Sequence, residues 1–173
     1  MLYVLLVLAL LIVVILIAAA RKPDRVHYER SLNIAAPPDR ILPHLIDFHK
    51  WRAWSPYEKK DPEMQRTFSG ANEGTGAKYA WNGNKNVGEG SMEIRQASPS
   101  LVKIDLRFVR PFNAVCVADF HLVPTNGGTT VTWAMDGPNP FSSKLMSVFM
   151  DFDKLIGKDF ENGLKDLNSA ATR

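Results

Sequence analysis

From Leu2 to Ala20 no side chain is charged, and Leu, Ile and Val dominate. A helix over this span is about 28 Å long, close to the hydrocarbon thickness of a bilayer. Its backbone hydrogen bonds close within the segment, which is the condition for residing in lipid. Arg21, Lys22, Pro23, Asp24 and Arg25 end the apolar run abruptly. The pattern predicts an uncleaved membrane-spanning helix over 1–20 and a juxtamembrane linker over 21–25. A cleaved export signal is the rival reading, because Ala18-Ala19-Ala20 resembles a cleavage site. Against it, no basic segment precedes the run, and the run exceeds the roughly 7–15 residues of a signal core. The basic cluster after the span places the body on the cytoplasmic side by the positive-inside rule, with the periplasmic or extracellular side as the reverse orientation.

Beyond residue 25 the pattern changes period. Residues 26–34 read as a strand ending at Ala35-Ala36-Pro37-Pro38, where a proline is well placed to start a helix. Ile41, Leu42, Leu45, Ile46 and Phe48 then recur at helical spacing. After Trp51-Arg52-Ala53-Trp54-Ser55-Pro56 comes a charged stretch, Glu58-Lys59-Lys60-Asp61-Pro62, expected as a loop. From there to Gly137 the chain reads as antiparallel strands separated by turns at 70–74, 82–84, 98–100 and Asn126-Gly127-Gly128. Val102, Ile104, Leu106 and Phe108 alternate with Lys103, Asp105 and Arg107, and Thr129, Val131, Trp133 and Met135 repeat the pattern, so one face of the sheet is covered and the other wet. The cover is one long C-terminal amphipathic helix, with Leu145, Phe149, Phe152, Ile156, Phe160, Leu164 and Leu167 on its apolar stripe and Asn139-Pro140 or Ser142 at its start. The expected fold is α+β, a curved antiparallel sheet gripping that helix. One domain over 26–168 and a short tail over 169–173 account for the rest.

Composition changes this picture little. The formal net charge is +3 over 173 residues, about the size of the juxtamembrane cluster, which suits anionic headgroups. No basic run with interleaved aromatics argues for nucleic acid. The single cysteine, Cys116, excludes an intrachain disulfide and reads as a small buried hydrophobe.

Chemistry-bearing motifs are sparse. His27, His44, His49 and His121 form no zinc set, and Gly74-Thr75-Gly76 and Gly88-Glu89-Gly90 lack the third glycine of a dinucleotide fingerprint. No nucleophile elbow or P-loop is present, and the sequence calls for neither cofactor nor metal. Arg52 and Glu58 are expected as solvated charges, as are Glu89, Glu93, Arg95 and Asp119 unless their strand parity faces inward. Aromatics are plentiful: Trp51, Trp54, Tyr79, Trp81, Phe108, Phe112, Phe120 and Trp133. Each is a core candidate, and together they are also candidates to line an apolar ligand cavity, with Trp51 and Trp54 at its mouth.

The element order resembles the helix-grip fold of the START-like superfamily, in particular its polyketide cyclase/dehydrase and lipid-transport branch. The residues that carry the resemblance are Ala36-Pro37-Pro38-Asp39, Asp47-Phe48, the Trp51–Pro56 stretch, Asp61-Pro62, Gly74-Thr75-Gly76-Ala77 with Tyr79 and Trp81, the Thr129–Trp133 strand, and Gly157, Phe160 and Gly163-Leu164. The resemblance implies a cavity between the concave sheet and the C-terminal helix but transfers no catalytic motif. The resulting expectation is a membrane-anchored domain that binds a hydrophobic, lipid-like molecule in a cavity lined by Trp51, Trp54, Tyr79, Trp81, Phe108, Phe120 and Trp133. It requires no covalent chemistry, and no protein partner is assigned. A cyclase/dehydrase-type enzyme using Glu93 or His121 for proton transfer is the alternative, and an interaction protein with a closed cavity is a third. An open apolar cavity favours the carrier, two inward ionisable groups the enzyme, and a filled interior the interaction protein.

Overall fold

The computed structural model describes residues 1–111 and 113–173; Phe112 lies outside the described residues. Helix α1 (Leu2–Ala20) projects with its apolar side chains exposed, and only Ala19 is buried. It is long and apolar enough to cross a membrane. The body follows as β1 (Arg25–Ile34), α2 (Pro38–Ile46), a 3-10 turn over Phe48–Ala53 and a short helix α3 (Pro56–Lys60). Six strands come next: β2 (Gln65–Gly70), β3 (Ala77–Asn82), β4 (Glu89–Ala97), β5 (Leu101–Arg110), β6 (Ala114–Thr125) and β7 (Gly128–Pro138). Helices α4 (Phe141–Met146) and α5 (Phe152–Ala171) close the chain.

The seven strands form one antiparallel sheet in the order β1-β7-β6-β5-β4-β3-β2. Strands β2 to β7 follow one another as a meander with short connections, the form expected from the turn signals, and β1 returns beside β7. Thr125 pairs with Gly128, so Asn126-Gly127 is the two-residue hairpin turn, with Gly127 at φ 132°. Even-numbered positions of β1, β5 and β6 and odd-numbered positions of β3 and β7 face the concave side, where α5 lies against β1 and β7. The opposite face is wet: Arg95 pairs with Glu93 and Asp105, Lys103 with Asp119, and Ser31 with Thr132. This is the helix-grip arrangement the sequence implied.

Two local expectations are corrected. The charged stretch after Trp54 is not wholly a loop, because Pro56 opens the helical turn of α3. The C-terminal stripe is not one helix. The chain leaves α4 after Met146 and restarts at Phe152, where the Asp151 carboxylate accepts a hydrogen bond from the Lys154 amide and caps α5. Leu145 and Phe149 share the spacing of the stripe but lie outside α5.

Arg30 fastens α5 to β1. Its guanidinium lies across Gly157, where a Cβ would fall 2.0 Å from Nη2, and it pairs with Asp153 and Glu161 one turn to either side. That contact holds the Asp153 carboxyl below the usual carboxylate range. Gly163 permits a second close approach, since a Cβ there would meet the Trp133 ring at 2.7 Å.

His44 gives the fold a pH dependence. Among the described residues nothing hydrogen-bonds its Nδ1, and burial, aided by the Lys50 charge, pushes its pKa below the ordinary 6.5. The unfolded chain therefore binds a proton at about pH 6 that the folded chain resists, so stability is complete above about pH 6.5 and falls as pH drops toward the folded value. His27, whose pKa is raised by its Asp136 partner, acts in the opposite sense, so the test is the contrast. From about pH 7.5 to about pH 5.5 the melting temperature of the wild type should fall more, or rise less, than that of His44→Leu.

Candidate functional site

Among the described residues, the aromatics singled out in the sequence are linked by ring contacts through the core. Trp133 stacks on Phe160 with centroids 4.2 Å apart and rings 8° from parallel. Phe120 lies 5.0 Å from Trp133, Trp54 lies 5.6 Å from Trp133, and Trp51 lies 4.8 Å from Trp54. Tyr79 stacks on Phe68 at 5.1 Å and continues through Trp81 to Phe108. Three indole N–H groups are spent on main-chain carbonyls: Trp51 donates to Leu45, Trp54 to His44 and Trp81 to Val87. Trp51 and Trp54, expected at a cavity mouth, therefore sit in the core. They share one side of the 3-10 turn, as their spacing implied, and that side faces inward.

Beneath α3 lies a buried polar group the sequence reading placed in solvent. Glu58 is buried, and its carboxylate accepts hydrogen bonds from the Tyr79 hydroxyl at 2.6 Å and from Arg66 Nε at 2.7 Å. Arg66 also donates to the Met64 and Pro62 carbonyls. Burial and the adjoining Glu58 charge push the Tyr79 hydroxyl above its ordinary pKa, so it remains a donor. Arg66 points inward from β2, and Glu58 is its counter-ion. The signal was available in the sequence as an inward arginine on a strand that needed a partner.

The open space lies beside the break between α4 and α5. A cavity of about 860 Å³ runs between the ends of β1, β5, β6 and β7 and the segment joining α4 to α5. Val26, Tyr28, Phe108, Ala114, Cys116 and Met135 form its sheet wall, and Met146, Val148, Phe149, Phe152 and Ile156 its helix wall. Its size falls within the roughly 300–1,000 Å³ of small-molecule sites, and its walls are mainly apolar. Of the seven aromatics expected to line a cavity, Phe108 does so here; Trp51, Trp54, Tyr79, Trp81, Phe120 and Trp133 do not. Tyr28 and Met135 were legible only as inward positions near strand ends. Phe152 and Ile156 belong to the predicted stripe, but they face space because the chain breaks before α5 and leaves the first turn of that helix uncovered.

The ionisable groups at the cavity are mostly engaged. Asp153 pairs with Arg30, and the Asp151 carboxylate caps α5. Burial raises the Tyr28 hydroxyl above its ordinary pKa, with the Asp153 charge adding to the effect, and burial also raises the Cys116 thiol. Glu93 and His121 face away from the cavity. Glu93 lies on the wet face between Lys78 and Arg95, and His121 is exposed on β6. Among the described residues no three His, Cys, Asp or Glu side chains stand together as a metal set.

Residues 25–172 match the family described as polyketide cyclase/dehydrase and lipid transport. The chain belongs to that family. No curated protein matches the sequence closely enough to add a relative. Among solved structures, protein CV1439 from Chromobacterium violaceum shares 14% identity at a TM-score of 0.60, with 88% of this chain and 99% of that one covered. Protein MLL2253 from Mesorhizobium loti shares 19% identity at a TM-score of 0.57, covering 86% and 97%. The di-domain ARO/CYC StfQ from the steffimycin biosynthetic pathway shares 8% identity at a TM-score of 0.61; 86% of this chain matches 51% of that one. These likenesses concern the fold. A shared fold does not fix chemistry, which is argued from the residues at the site.

Proposed function

We propose that this protein is a membrane-tethered carrier that holds one hydrophobic, lipid-like molecule in the 860 Å³ cavity between the sheet and the start of α5. The observation that carries the reading is the cavity's position. Lys22 and Pro23, just after the apolar helix, line it together with Tyr28, Phe108, Met135 and Phe152. A site fixed beside the end of a bilayer-spanning helix meets membrane-dissolved ligand at high effective concentration. The apolar walls supply the binding energy, at about 25 cal/mol per Å² of apolar surface removed from water. The polar rim orients a head group. With the Asp153 and Asp151 carboxylates engaged and Glu93 and His121 facing away, proton transfer has few candidates here, which favours a carrier over a cyclase.

Cys116 provides an internal reporter because it is the chain's only cysteine and lines the cavity. In the full chain, saturation with a fluorescent long-chain fatty acid should slow alkylation of Cys116 by N-ethylmaleimide. Met135→Trp puts an indole into the open space without the overpacking cost a filled core would impose. It should abolish both fatty-acid binding and the protection. Equal alkylation rates with and without the fatty acid would remove the basis for the reading.

A further inference from the structure

The body's apolar surface is unevenly distributed. Outside α1, the exposed large hydrophobic residues among the described positions are Val109, Val115, Val123, Phe141, Phe149, Met150 and Leu155. Phe141, Phe149 and Met150 belong to α4 and the segment after it, and Phe149 is 69% exposed. Val109 and Val115 flank the hairpin at the same end of the sheet. A cluster of this kind, left in water by a domain whose other described aromatics are buried or half-buried, marks an interaction surface.

Its neighbour identifies the occupant. Helix α1 packs against α4. The linker between α1 and β1 is tied to the same place: the Asn139 amide donates to the Asp24 carbonyl at 2.8 Å, Asn139 Nδ2 donates to the Pro23 carbonyl at 2.8 Å, and Lys144 pairs with the Asp24 carboxylate. The Lys144 contact holds that carboxyl below its usual range. The end of the apolar helix and the exposed Phe149 segment are thus held at one end of the molecule, with Arg21 and Lys22 exposed between them. Cationic side chains next to exposed aromatic and Met side chains are the composition of a surface that lies in an anionic lipid interface.

We infer that Phe141, Phe149 and Met150 dip into the bilayer surface beside α1, so that the cavity mouth opens onto lipid and not onto water. Phe149 and Met150 are also cavity-wall residues, so the segment that enters the interface is the one that bounds the ligand path. This inference rests on the tethered-carrier reading and specifies its route of exchange.

The test uses the full chain carrying Cys116→Ala, reconstituted in phosphatidylcholine/phosphatidylglycerol vesicles. One cysteine at a time is introduced and labelled with a nitrobenzoxadiazole fluorophore, through Leu10→Cys, Phe149→Cys or Val123→Cys. Val123 is an exposed apolar control near the other end of β6. Doxyl-labelled phospholipid should quench the labels at positions 10 and 149 and leave the label at 123 bright. Circular dichroism matching the wild type shows that each variant is folded; Phe149 and Val123 are exposed, so neither change empties the core. Quenching at 10 with none at 149 overturns the docking surface and leaves the tether standing. Absence of quenching at both overturns the tether and the inference together. Equal quenching at 149 and 123 also overturns it, because contact would then not be specific to the cavity end.

Discussion

Replacing Phe160 by Asp is expected to unfold the domain at room temperature. Phe160 is 1% exposed and stacks on Trp133 at the centre of the aromatic cluster. Removing an aromatic ring from such a site costs about 3–5 kcal/mol, and an unpaired carboxylate in its place adds the cost of burying a charge. The sum rivals the roughly 5–15 kcal/mol that stabilises an ordinary domain. Circular dichroism of Phe160→Asp should therefore show no cooperative melting transition, while Lys158→Ala on the exposed side of the same helix should stay within about 0.5 kcal/mol of the wild type. Phe152 belongs to the same apolar stripe but is only half-buried and lines the cavity, so Phe152→Asp should keep a cooperative transition. A wild-type melting temperature for Phe160→Asp would mean that α5 is not gripped as described.

Loss of the Glu58 carboxylate carries the second largest expected effect. Glu58→Ala leaves the Arg66 guanidinium, whose side chain is 13% exposed, without its counter-ion and takes the acceptor from the Tyr79 hydroxyl. Breaking a buried ion pair from one side costs about 3–5 kcal/mol, most of it the penalty of the stranded charge. Removing both charges avoids that penalty, so the double variant Glu58→Leu/Arg66→Met should recover most of the loss in a urea titration. If the double variant is as unstable as Glu58→Ala, the stranded charge is not the source of the effect.

Much of the fold was legible because local signals agreed. The alternation at Val102–Phe108 and Thr129–Met135, the Asn126-Gly127 turn and the Phe160, Leu164 and Leu167 stripe each point to the same concave sheet around a helix. The site was less legible, and for a physical reason. Aromatic content says that a region is apolar but not whether neighbouring side chains fill it. Trp51 and Trp54 have their indole N–H groups taken by carbonyls only six and ten residues away, a pairing set by how the 3-10 turn folds back on α2. The cavity depends on the break at 147–151, where the Asp151 cap competes with continued helix, and the apolar spacing through Leu145 and Phe149 hid that break. Glu58 is expected in solvent on the general rule that a charge is rarely buried without a partner. That partner, Arg66, lies eight residues on and across a strand boundary, where local pattern does not reveal it.

The central claim is that the space beside the α4–α5 segment holds an apolar molecule. Native mass spectrometry of the full chain, extracted from membranes in mild detergent, tests this most directly in parallel with Met135→Trp. Wild type should carry one bound apolar species, seen as a discrete added mass that disappears after organic extraction, and Met135→Trp should arrive bare. The same spectrum from both proteins, whether both bare or both carrying the same added mass, would contradict the account.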